Sequence, residues 1–308
     1  MKLPIQPWNL PLEWSELTSQ LAAELQRPLK FEQAVVVGGG INFSYQLCCD
    51  QATFFIKLNA PNRLAMFEQE AQMLRHLSSS MADQQLIRLP VSYLTGLIGS
   101  NAFIALEWLE LAELEVGSAK SLGEGLAGLH SVTAAEFGWP EDGYIGLSRQ
   151  LNNQQSDWQL FWRDQRLGFQ AKMARRNGLP AGIESRLTLL MDSVTSLLGG
   201  AEPVASLLHG DFWIGNCAMD SAGQPVIFDP ACYFGDAETD LAMAELFGGF
   251  PASFYDAYWQ SRPQVAGYAV RRGVYQLYHL LNHFNLFGGD YANRAGDMIE
   301  SLLAETGH

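Results

Sequence analysis

One stretch in the C-terminal half of the chain constrains its possible folds more than any other part of the sequence. It reads Leu207-Leu-His-Gly-Asp-Phe-Trp-Ile-Gly-Asn216 and is followed by the apolar run Pro225-Val-Ile-Phe-Asp-Pro230. Asp211 precedes Asn216 by five positions, and Asp229 follows the hydrophobic part of the run. A carboxylate that accepts a hydroxyl proton, followed at this spacing by an amide that holds Mg²⁺, is typical of a phosphoryl-transfer loop.

Asp229 fits the same chemistry as a second metal ligand. Magnesium prefers oxygen ligands and takes one or two carboxylates besides phosphate and water. The segment Asp220-Ser-Ala-Gly223 has the composition of a turn, so Asn216 and Asp229 are predicted to lie on opposite arms of a hairpin. The alternative interpretation is that His209-Gly-Asp211 forms an ordinary turn and Asp229 a solvated strand end.

The composition limits the class of protein and its partners. The chain has 308 residues, of which 48% are hydrophobic, so it can bury a substantial core in one or two domains. Its net charge is −14, from 33 acidic and 19 basic residues. Because nucleic-acid binding needs clustered Lys and Arg, a nucleic-acid partner is not expected. No obligate protein partner is evident either, and small neutral or cationic substrates fit better.

The cysteines and the N-terminus predict a cytoplasmic protein. Cys48, Cys49, Cys217 and Cys232 have neither zinc-site spacing nor the density of a disulfide scaffold. The first residues, Met1-Lys-Leu-Pro-Ile-Gln-Pro, contain no long apolar run or cleavage pattern, and no stretch reaches the roughly 18 apolar residues of a membrane span. We therefore expect neither export nor a membrane anchor.

A glycine turn between two predicted strands is the first upstream feature that could serve a nucleotide. Ala34-Val-Val-Val37 runs into Gly38, Gly39 and Gly40, and a second strand follows. Glycines allow backbone N–H groups to approach phosphates closely. The pattern is neither G-x-G-x-x-G nor Walker A, so by itself a plain hairpin turn is the better interpretation.

Lys57 and Glu70 strengthen the nucleotide hypothesis. Lys57 lies near the end of the apolar strand Thr53-Phe-Phe-Ile-Lys-Leu58, where it could pair with phosphates; the alternative is an edge lysine that discourages strand pairing. In the following helix, Glu70 falls within the inward stripe that contains Phe67 and Leu74. A buried carboxylate needs a partner, and Lys57 is the natural one, whereas Glu68 is predicted to face water.

Two further strands and a run of helices complete the layout. Strands are predicted over 88–94 and 102–109, and the second leads into a polar, helix-forming segment that is a candidate hinge. Helices are predicted over 121–130, 157–167 and 274–287. On the last one, His279 and His283 have metal-pair spacing, but core or pocket-lining histidines are the favoured interpretation. The fold prediction is α+β: a small N-terminal antiparallel β lobe of residues 1–106, a hinge of residues 107–109, and a larger, mainly helical lobe of residues 110–308.

Motifs along nearly the whole chain resemble the fructosamine kinase, or ketosamine 3-kinase, family. This family belongs to the aminoglycoside-phosphotransferase-like branch of the protein-kinase-like fold, which implies two lobes. The matching motifs are Gly38-Gly-Gly-Ile-Asn42, Phe67-Glu-Gln-Glu70, Phe137-Gly-Trp139, Tyr144-Ile-Gly146, Gln150-Leu-Asn152, His209 to Asn216, Ile227-Phe-Asp-Pro-Ala231, Leu246-Phe-Gly-Gly-Phe250 and Leu281-Asn-His-Phe-Asn-Leu-Phe-Gly288.

The resemblance implies an ATP- and Mg²⁺-dependent enzyme that phosphorylates the O3 hydroxyl of small-molecule or protein-bound ketosamines. The unstable 3-phosphate then eliminates and frees the amine, which is deglycation. Asp240 is expected to support the catalytic loop through hydrogen bonds. The implied site residues are Asp211 as the base, Asn216 and Asp229 as Mg²⁺ ligands, Gly38, Gly39, Gly40, Asn42, Lys57 and Glu70 with the hinge residues Glu107, Trp108 and Leu109 for ATP, and Trp213, Asn152 and His283 for the substrate.

One departure and two alternatives accompany this resemblance. Many relatives have Cys at the position of Gly40, so redox behaviour of that loop is not expected in this chain. The first alternative keeps the chemistry and changes the acceptor to an aminoglycoside or another small amino-alcohol. The second is a catalytically silent nucleotide-binding scaffold, which the presence of Lys57, Asp211, Asn216 and Asp229 disfavours.

Overall fold

The structure, a computed structural model, describes residues 13–81 and 85–307. The segment 1–12, in which the sequence contains no leader-like apolar run, lies outside the described residues. Within the described ranges, no helix combines the length and the apolar character that crossing a bilayer would need.

The strands are short except in the N-terminal region. Their bounds are β1 Phe31–Gly39, β2 Phe43–Cys49, β3 Ala52–Asn59, β4 Ser92–Ile98, β5 Asn101–Glu107, β6 Leu111–Ala112, β7 Gly143–Ile145, β8 Ser148–Gln150, β9 Ser206–Leu208, β10 Cys217–Asp220, β11 Pro225–Ile227 and β12 Tyr233–Gly235.

The helices dominate the rest of the chain. Their bounds are α1 Trp14–Glu24, α2 Leu64–Ser80, α3 Val116–Leu129, α4 Trp158–Phe161, α5 Gly168–Arg176, α6 Ala181–Leu197, α7 Glu238–Leu246, α8 Ala252–Ser261, α9 Tyr268–Phe287 and α10 Tyr291–Glu305. Short 3-10 helices span Pro61–Arg63 and Ile214–Asn216, and a π-helical segment spans Trp162–Leu167.

The described residues divide into two units, and the first is not continuous in the chain. Residues 13–118 and 217–230 form what we call the sheet unit, and residues 119–216 and 231–307 form the helical unit. The hairpin β10–β11 thus belongs with the N-terminal residues. The predicted lobes, 1–106 and 110–308, are continuous stretches, whereas the sheet unit also includes residues 217–230. The hinge at 107–109 stays a prediction.

The sheet unit is built on a five-stranded antiparallel sheet in the order β1-β2-β3-β5-β4. Its predicted antiparallel character is confirmed. Residues of β3 alternate between the two faces, as a pleated strand requires. Phe54, Ile56 and Leu58 pack with Leu17 and Leu21 of α1, so α1 covers one face. Lys57 points to the other face, which α2 covers.

The helical unit is organised around α9, of whose twenty residues thirteen are buried. A run of aromatic residues in α4 and the π-helical segment packs against it, with the rings of Trp162 and Tyr275 4.8 Å apart. The mainly helical character predicted for the C-terminal region is confirmed. α7 is tied to α9 by a buried ion pair in which Arg271 donates to both carboxylate oxygens of Glu238 at 2.7 Å.

Several predicted boundaries shift for identifiable reasons. β4 begins at Ser92 rather than at Arg88, because Arg88 forms a bridge with Val226 instead. The helix predicted over 157–167 is interrupted by a π-helical segment and then continues as α5 to Arg176. At this interruption a Cβ on Gly168 would approach the carbonyl oxygen of Arg163 to 2.9 Å, so the absence of a side chain there has a steric reason.

Gly123 offers a test of helix packing. A Cβ at Gly123 in α3 would lie 2.2 Å from the carbonyl oxygen of Phe254 in α8. We expect Gly123→Ala to destabilise the protein by about 1–3 kcal/mol, because backbone atoms must move apart. Thermal unfolding followed by circular dichroism measures this as a lower Tm.

Gly117, in the same helix, is the matched control. No atom lies within 4 Å of a Cβ built there. Gly117→Ala should keep or raise the Tm, because alanine is the better helix former by about 1 kcal/mol. Equal Tm values for the two variants would contradict the proposed packing of α3 on α8.

Candidate active site

The glycine loop of the sheet unit is open. A Cβ at Gly39 or Gly40 would meet no atom within 4 Å, and one at Gly38 would make an ordinary 3.7 Å contact with Ser44. None of these three glycines has a positive φ. Neither the backbone conformation nor the packing described here explains why they are glycines, whereas close approach of a ligand to the backbone would.

The sheet register places Lys57 in line with this loop. Gly38 pairs with Ser44 across β1 and β2, and Ser44 pairs with Lys57 across β2 and β3. Directly opposed residues share a face of the sheet, so Lys57 lies on the face of Gly38, two strands or about 10 Å away. Asn59 braces the loop from β3, since its Nδ2 donates to the Asn42 side chain at 2.7 Å and to the Ile41 carbonyl at 3.0 Å.

Lys57 lies between two carboxylates. Its Nζ is 2.7 Å from Oε1 of Glu70 on α2 and also contacts Oδ1 of Asp229. The Lys57 and Glu70 side chains are 6% and 12% exposed, whereas that of Asp229 is 44% exposed. The pairing of Lys57 with Glu70 agrees with the sequence prediction, and Glu68 is exposed, as predicted.

The charges of this cluster are not balanced within the sheet unit. Burial by itself would lower the pKa of Lys57, but the carboxylates of Asp229 and Glu70 outweigh it and raise that pKa. Burial raises the pKa of Glu70, and the charge of Asp229 adds to this effect. Two acidic groups therefore share one ammonium, and the exposed carboxylate of Asp229 leaves a net negative charge on the accessible side.

Asp229 has an unusual backbone conformation. Its φ is 58°, in the left-handed region that non-glycine residues seldom occupy. It follows β11 of the hairpin β10–β11, in which Cys217 pairs with Ile227. Non-glycine residues in this region occur disproportionately at functional sites, where the surroundings hold them in place.

Arg88 anchors the hairpin to the end of β5. Its guanidinium donates to Asp220 in the hairpin at 2.7 Å and to Glu107 at 2.5 Å. Its backbone N–H donates to the Pro225 carbonyl at 2.8 Å, and its own carbonyl accepts from Ile227 at 3.0 Å. Sequence reasoning did not identify Arg88, because its four partners are distant in the chain.

The predicted hinge residues differ in what they can offer to adenine. The Glu107 N–H already donates to the Val91 carbonyl at 2.8 Å, and the Glu107 carboxylate is bound to Arg88. The Trp108 indole N–H donates to Glu110 at 2.7 Å. Adenine contact at the backbone of Trp108 or Leu109 stays a prediction.

In the helical unit, the loop of residues 209–216, which we call the catalytic loop after its proposed role, follows β9 and is held in place by Asp240. The Asp240 carboxylate accepts from the N–H groups of His209 and Gly210 at 2.8 and 2.9 Å, so the predicted support is confirmed. Gly210 has a φ of 82°, and a Cβ there would lie 2.0 Å from the Ala231 carbonyl oxygen. Only glycine fits this position.

Asp240 in turn depends on a buried histidine. His130 is fully buried, and its Nε2 lies 3.2 Å from Asp240, while its Nδ1 lies 2.8 Å from the Tyr258 hydroxyl. Burial lowers the pKa of His130. Burial would raise the pKa of Asp240, but the hydrogen bond from His130 and nearby charges lower it overall. Both pKa shifts agree with a neutral His130 whose Nε2–H donates to Asp240 and whose Nδ1 accepts from the Tyr258 hydroxyl.

Asp211 and Asn216 face each other across the loop. The Asn216 Nδ2 group donates to the Asp211 carbonyl at 2.9 Å and to its Oδ2 at 3.1 Å. This turns Oδ1 of Asn216, the atom that would bind a metal, to the opposite edge of the amide. Asp211 is partly exposed, and Asn216 is buried.

Trp213 projects from the same loop over Gly215. A Cβ on Gly215 would lie 2.3–2.6 Å from atoms of the indole ring, so glycine is required for this position of the indole. The indole belongs to a group of five neighbouring rings that we call the aromatic cluster. Its members are Trp213, Phe247, His283, Phe287 and Tyr291. Successive ring centroids are 5.7 Å apart for Trp213 and Phe247 and 4.7 Å for Phe247 and His283.

His283 presents one nitrogen as an acceptor. Its Nδ1 is 2.8 Å from the His279 carbonyl, and a carbonyl can only accept, so Nδ1 carries the proton. Burial lowers the pKa of His283, and the charge of Arg294 lowers it further. In the neutral ring Nε2 is therefore unprotonated. As predicted, His279 is a core residue, 3% exposed, and His283 lines the cluster.

Asn152 is engaged within the protein. Its side chain donates to the Glu141 carbonyl at 3.1 Å and accepts from Arg166 at 2.8 Å, and it is 1% exposed. Its carbonyl packs on Gly138, whose Cβ position would be 2.5 Å away. This geometry supports a structural role for Asn152 rather than the predicted contact with substrate.

The predicted residues therefore fall into two groups. Lys57, Glu70 and Asp229 meet in the sheet unit, in line with the glycine loop. Asp211, Asn216, Trp213 and His283 belong to the helical unit, the first three on one loop and His283 in the aromatic cluster. Sequence reasoning did not find His130, Arg88 or Arg294. His130 directly follows α3, which contains no recognisable motif, so only its burial in the structure identifies it.

Comparisons with known proteins identify the family of the chain. The family model for fructosamine kinase matches residues 13–305. A Synechocystis protein named probable ketoamine kinase is 40% identical over 299 residues, which cover 96% of this chain and 99% of the relative. The chloroplastic protein-ribulosamine 3-kinase of Arabidopsis thaliana is 38% identical over 271 residues, covering 87% and 81% of the two chains.

Solved structures give the fold. A Haemophilus somnus crystal structure that carries fructosamine-3-kinase in its name has a TM-score of 0.87 and 28% identity, covering 94% of this chain and 97% of that one. The spectinomycin phosphotransferase APH(9)-Ia has a TM-score of 0.54 at 16% identity, with 96% and 95% covered; it shows the fold alone. The protein-kinase-like fold is confirmed, and a family whose members are kinases implies ATP as the phosphoryl donor. The chain belongs to the fructosamine kinase family and is a phosphotransferase.

Proposed function

We propose that this protein is an ATP- and Mg²⁺-dependent kinase that phosphorylates the 3-hydroxyl of ketosamines, the adducts of sugars with amines. The observation that carries the proposal is the catalytic loop, where Asp211 is hydrogen-bonded to Asn216 and lies two residues before Trp213 of the aromatic cluster. The names of the Synechocystis and Arabidopsis relatives, a ketoamine kinase and a ribulosamine 3-kinase, support this class of acceptor.

Asp211 is the proposed base. Its carboxylate accepts the proton of the acceptor hydroxyl as that oxygen attacks the γ-phosphorus of ATP and the bond to ADP breaks. The loop that carries it is held by two backbone hydrogen bonds to Asp240. Such positioning lowers the barrier without covalent catalysis by the protein.

Lys57 is the proposed phosphate-binding cation. Its ammonium is kept charged by Asp229 and Glu70, so it is available to pair with phosphate oxygens near the open glycine loop. Glu70 holds the amine in one position. The backbone of Gly38 and Gly39 would supply N–H donors, whereas the N–H of Gly40 donates to the Asn42 carbonyl at 3.2 Å, so Asn42 would support the loop.

The proposed metal ligands are Asn216 and Asp229. Both offer oxygen atoms, the kind of donor that Mg²⁺ prefers, and the carboxylate of Asp229 is 44% exposed. The net negative charge of the cluster around Lys57 favours a cation. When bound, Mg²⁺ neutralises charge on the phosphates during transfer.

The aromatic cluster is the proposed acceptor platform. The face of the Trp213 indole would stack on the C–H surface of the sugar and attract a protonated amine. His283 Nε2 would accept a hydrogen bond from a sugar hydroxyl. The 3-phosphate product would eliminate and release the amine. Among the described residues, Cys48, Cys49, Cys217 and Cys232 form no disulfide, which supports a reducing compartment such as the cytoplasm.

An acceptor panel tests the proposed function. We expect ADP release with ribulosamine, erythrulosamine or fructosamine adducts of lysine, because these present a hydroxyl, a sugar face and an amine together. A coupled ADP assay measures the rate, with aminoglycosides and small amino-alcohols as competing acceptors. A folded protein that binds ATP and phosphorylates none of the three ketosamines would refute the substrate assignment.

Asp211→Asn should abolish turnover. The amide keeps the shape of the side chain but cannot accept the proton, so we expect kcat to fall by about 10²- to 10⁴-fold. The affinity for ATP, measured by titration calorimetry, should change little. Asp192→Asn, at an exposed position of α6, is the control and should retain full activity. Parallel losses of kcat and ATP affinity in Asp211→Asn would contradict the role of a base.

Glu70→Gln should weaken ATP use, because Lys57 then keeps only Asp229 as an anionic partner. We expect kcat/KM for ATP to fall by about tenfold, consistent with the loss of one charge-assisted hydrogen bond. Glu68→Gln, two residues away on the exposed face of α2, is the matched control and should leave kcat/KM unchanged. If both variants behaved alike, the Lys57–Glu70 pair would have no role in ATP binding.

A further inference from the structure

An arginine lies against two rings of the aromatic cluster. The Arg294 guanidinium, on α10, is 5.3 Å from the Phe247 ring centroid and 5.6 Å from that of Tyr291. The two rings hold the cation by cation–π attraction. Arg294 is partly exposed, so its hydrogen-bond donors remain accessible beside the cluster.

Arg294 has no carboxylate partner among the residues that the structure describes. Most arginines of the helical unit do: Arg149, Arg163, Arg175, Arg186, Arg271 and Arg272 each form an ion pair. Asp290, one turn before Arg294, instead accepts from the Asn293 side chain at 3.1 Å. In a chain with a net charge of −14, a guanidinium held on two rings without an anion is suited to an anionic ligand.

The distance from Trp213 limits what that anion can be. The Trp213 and Arg294 groups lie within 5.7 and 5.3 Å of the same Phe247 centroid, so they are at most about 11 Å apart. In a lysine adduct the modified amine and the α-carboxylate are separated by six bonds of about 1.5 Å, or roughly 7–8 Å when extended. A sugar on Trp213 therefore leaves the carboxylate within reach of Arg294.

We infer that Arg294 binds the α-carboxylate of a free amino-acid ketosamine, and that the preferred acceptor is the Nε adduct of lysine as a free amino acid. This inference rests on the proposed function and narrows it. A lysine within a polypeptide has no α-carboxylate at this position. Arg294 thus distinguishes the free amino-acid adduct from the protein-bound one by charge, while Trp213 and His283 contact the sugar in both.

The test uses two acceptors that differ only in the carboxylate: Nα-acetyl-Nε-ribulosyl-lysine and its C-terminal carboxamide. For the unmodified protein we expect kcat/KM to be about 10- to 100-fold higher for the carboxylate, as one charge-assisted contact allows. Arg294→Met should lose this preference by lowering kcat/KM for the carboxylate alone. Arg294→Lys should keep part of it, because it keeps the charge but not the planar fork.

Arg176→Met is the matched control, since Arg176 is exposed at the end of α5 and its loss changes the net charge equally. It should keep the full preference for the carboxylate. Equal kcat/KM for the two acceptors in the unmodified protein, or an equal drop for both in a folded Arg294→Met variant, would overturn the inference and leave the proposed function intact. Activity on neither acceptor would overturn both.

Discussion

The buried ammonium of Lys57 between two carboxylates is the interaction on which the sheet unit depends. Removing an ammonium from water costs several kcal/mol, and only close anionic partners offset it. Glu70 comes from α2 and Asp229 from the end of a hairpin 172 positions away in the chain, so one charged atom joins a strand, a helix and a hairpin. Because two carboxylates share one ammonium, the cluster also lacks one positive charge. The excess negative charge lies on Asp229, whose side chain is the most exposed of the three. The same carboxylate that stabilises the fold through Lys57 can therefore bind a further cation.

In the helical unit, the carboxylate of Asp211 is partly exposed rather than enclosed in an ion cluster. Asp211, the proposed base, must stay accessible, so the structural constraint is applied to the backbone of the two preceding residues, His209 and Gly210. Asp240 accepts both N–H groups, and a neutral His130 completes its hydrogen bonding. These three donors stabilise the ionised Asp240 carboxylate from within the protein, without a metal or a ligand. The result is a rigid loop whose side chains, rather than its backbone, remain available for chemistry.

How far the sequence predicts this site depends on the range of the interactions involved. The Lys57–Glu70 pair follows from local patterns, since a lysine in an apolar strand and a glutamate in the inward stripe of the next helix each need a partner. The five-stranded sheet and the helical C-terminal region follow from periodicity in the same way. The position of Arg88 could not be predicted from local sequence, which places it in a strand. Its actual partners, Val226, Asp220 and Glu107, lie elsewhere in the chain. Asn152 shows the converse limit: its position in a motif suggests a ligand contact, whereas its side chain is hydrogen-bonded to Arg166 and to the Glu141 carbonyl, and contact with substrate stays a prediction.

Glycines illustrate why residue identity alone does not separate binding from packing. Gly210 and Gly215 are required by their own surroundings, the first by the Ala231 carbonyl and the second by the Trp213 ring. Gly39 and Gly40 have nothing nearby that would exclude a side chain. In the sequence these positions look alike, and both pairs lie in motifs. Since a glycine in the middle of a strand lowers stability by roughly 0.5–1 kcal/mol relative to alanine, a run of open glycines that begins in β1 calls for a reason outside the chain. Backbone N–H groups that approach a phosphate would supply that reason, and Lys57, aligned with the same loop across the sheet, would give the phosphate its counter-charge.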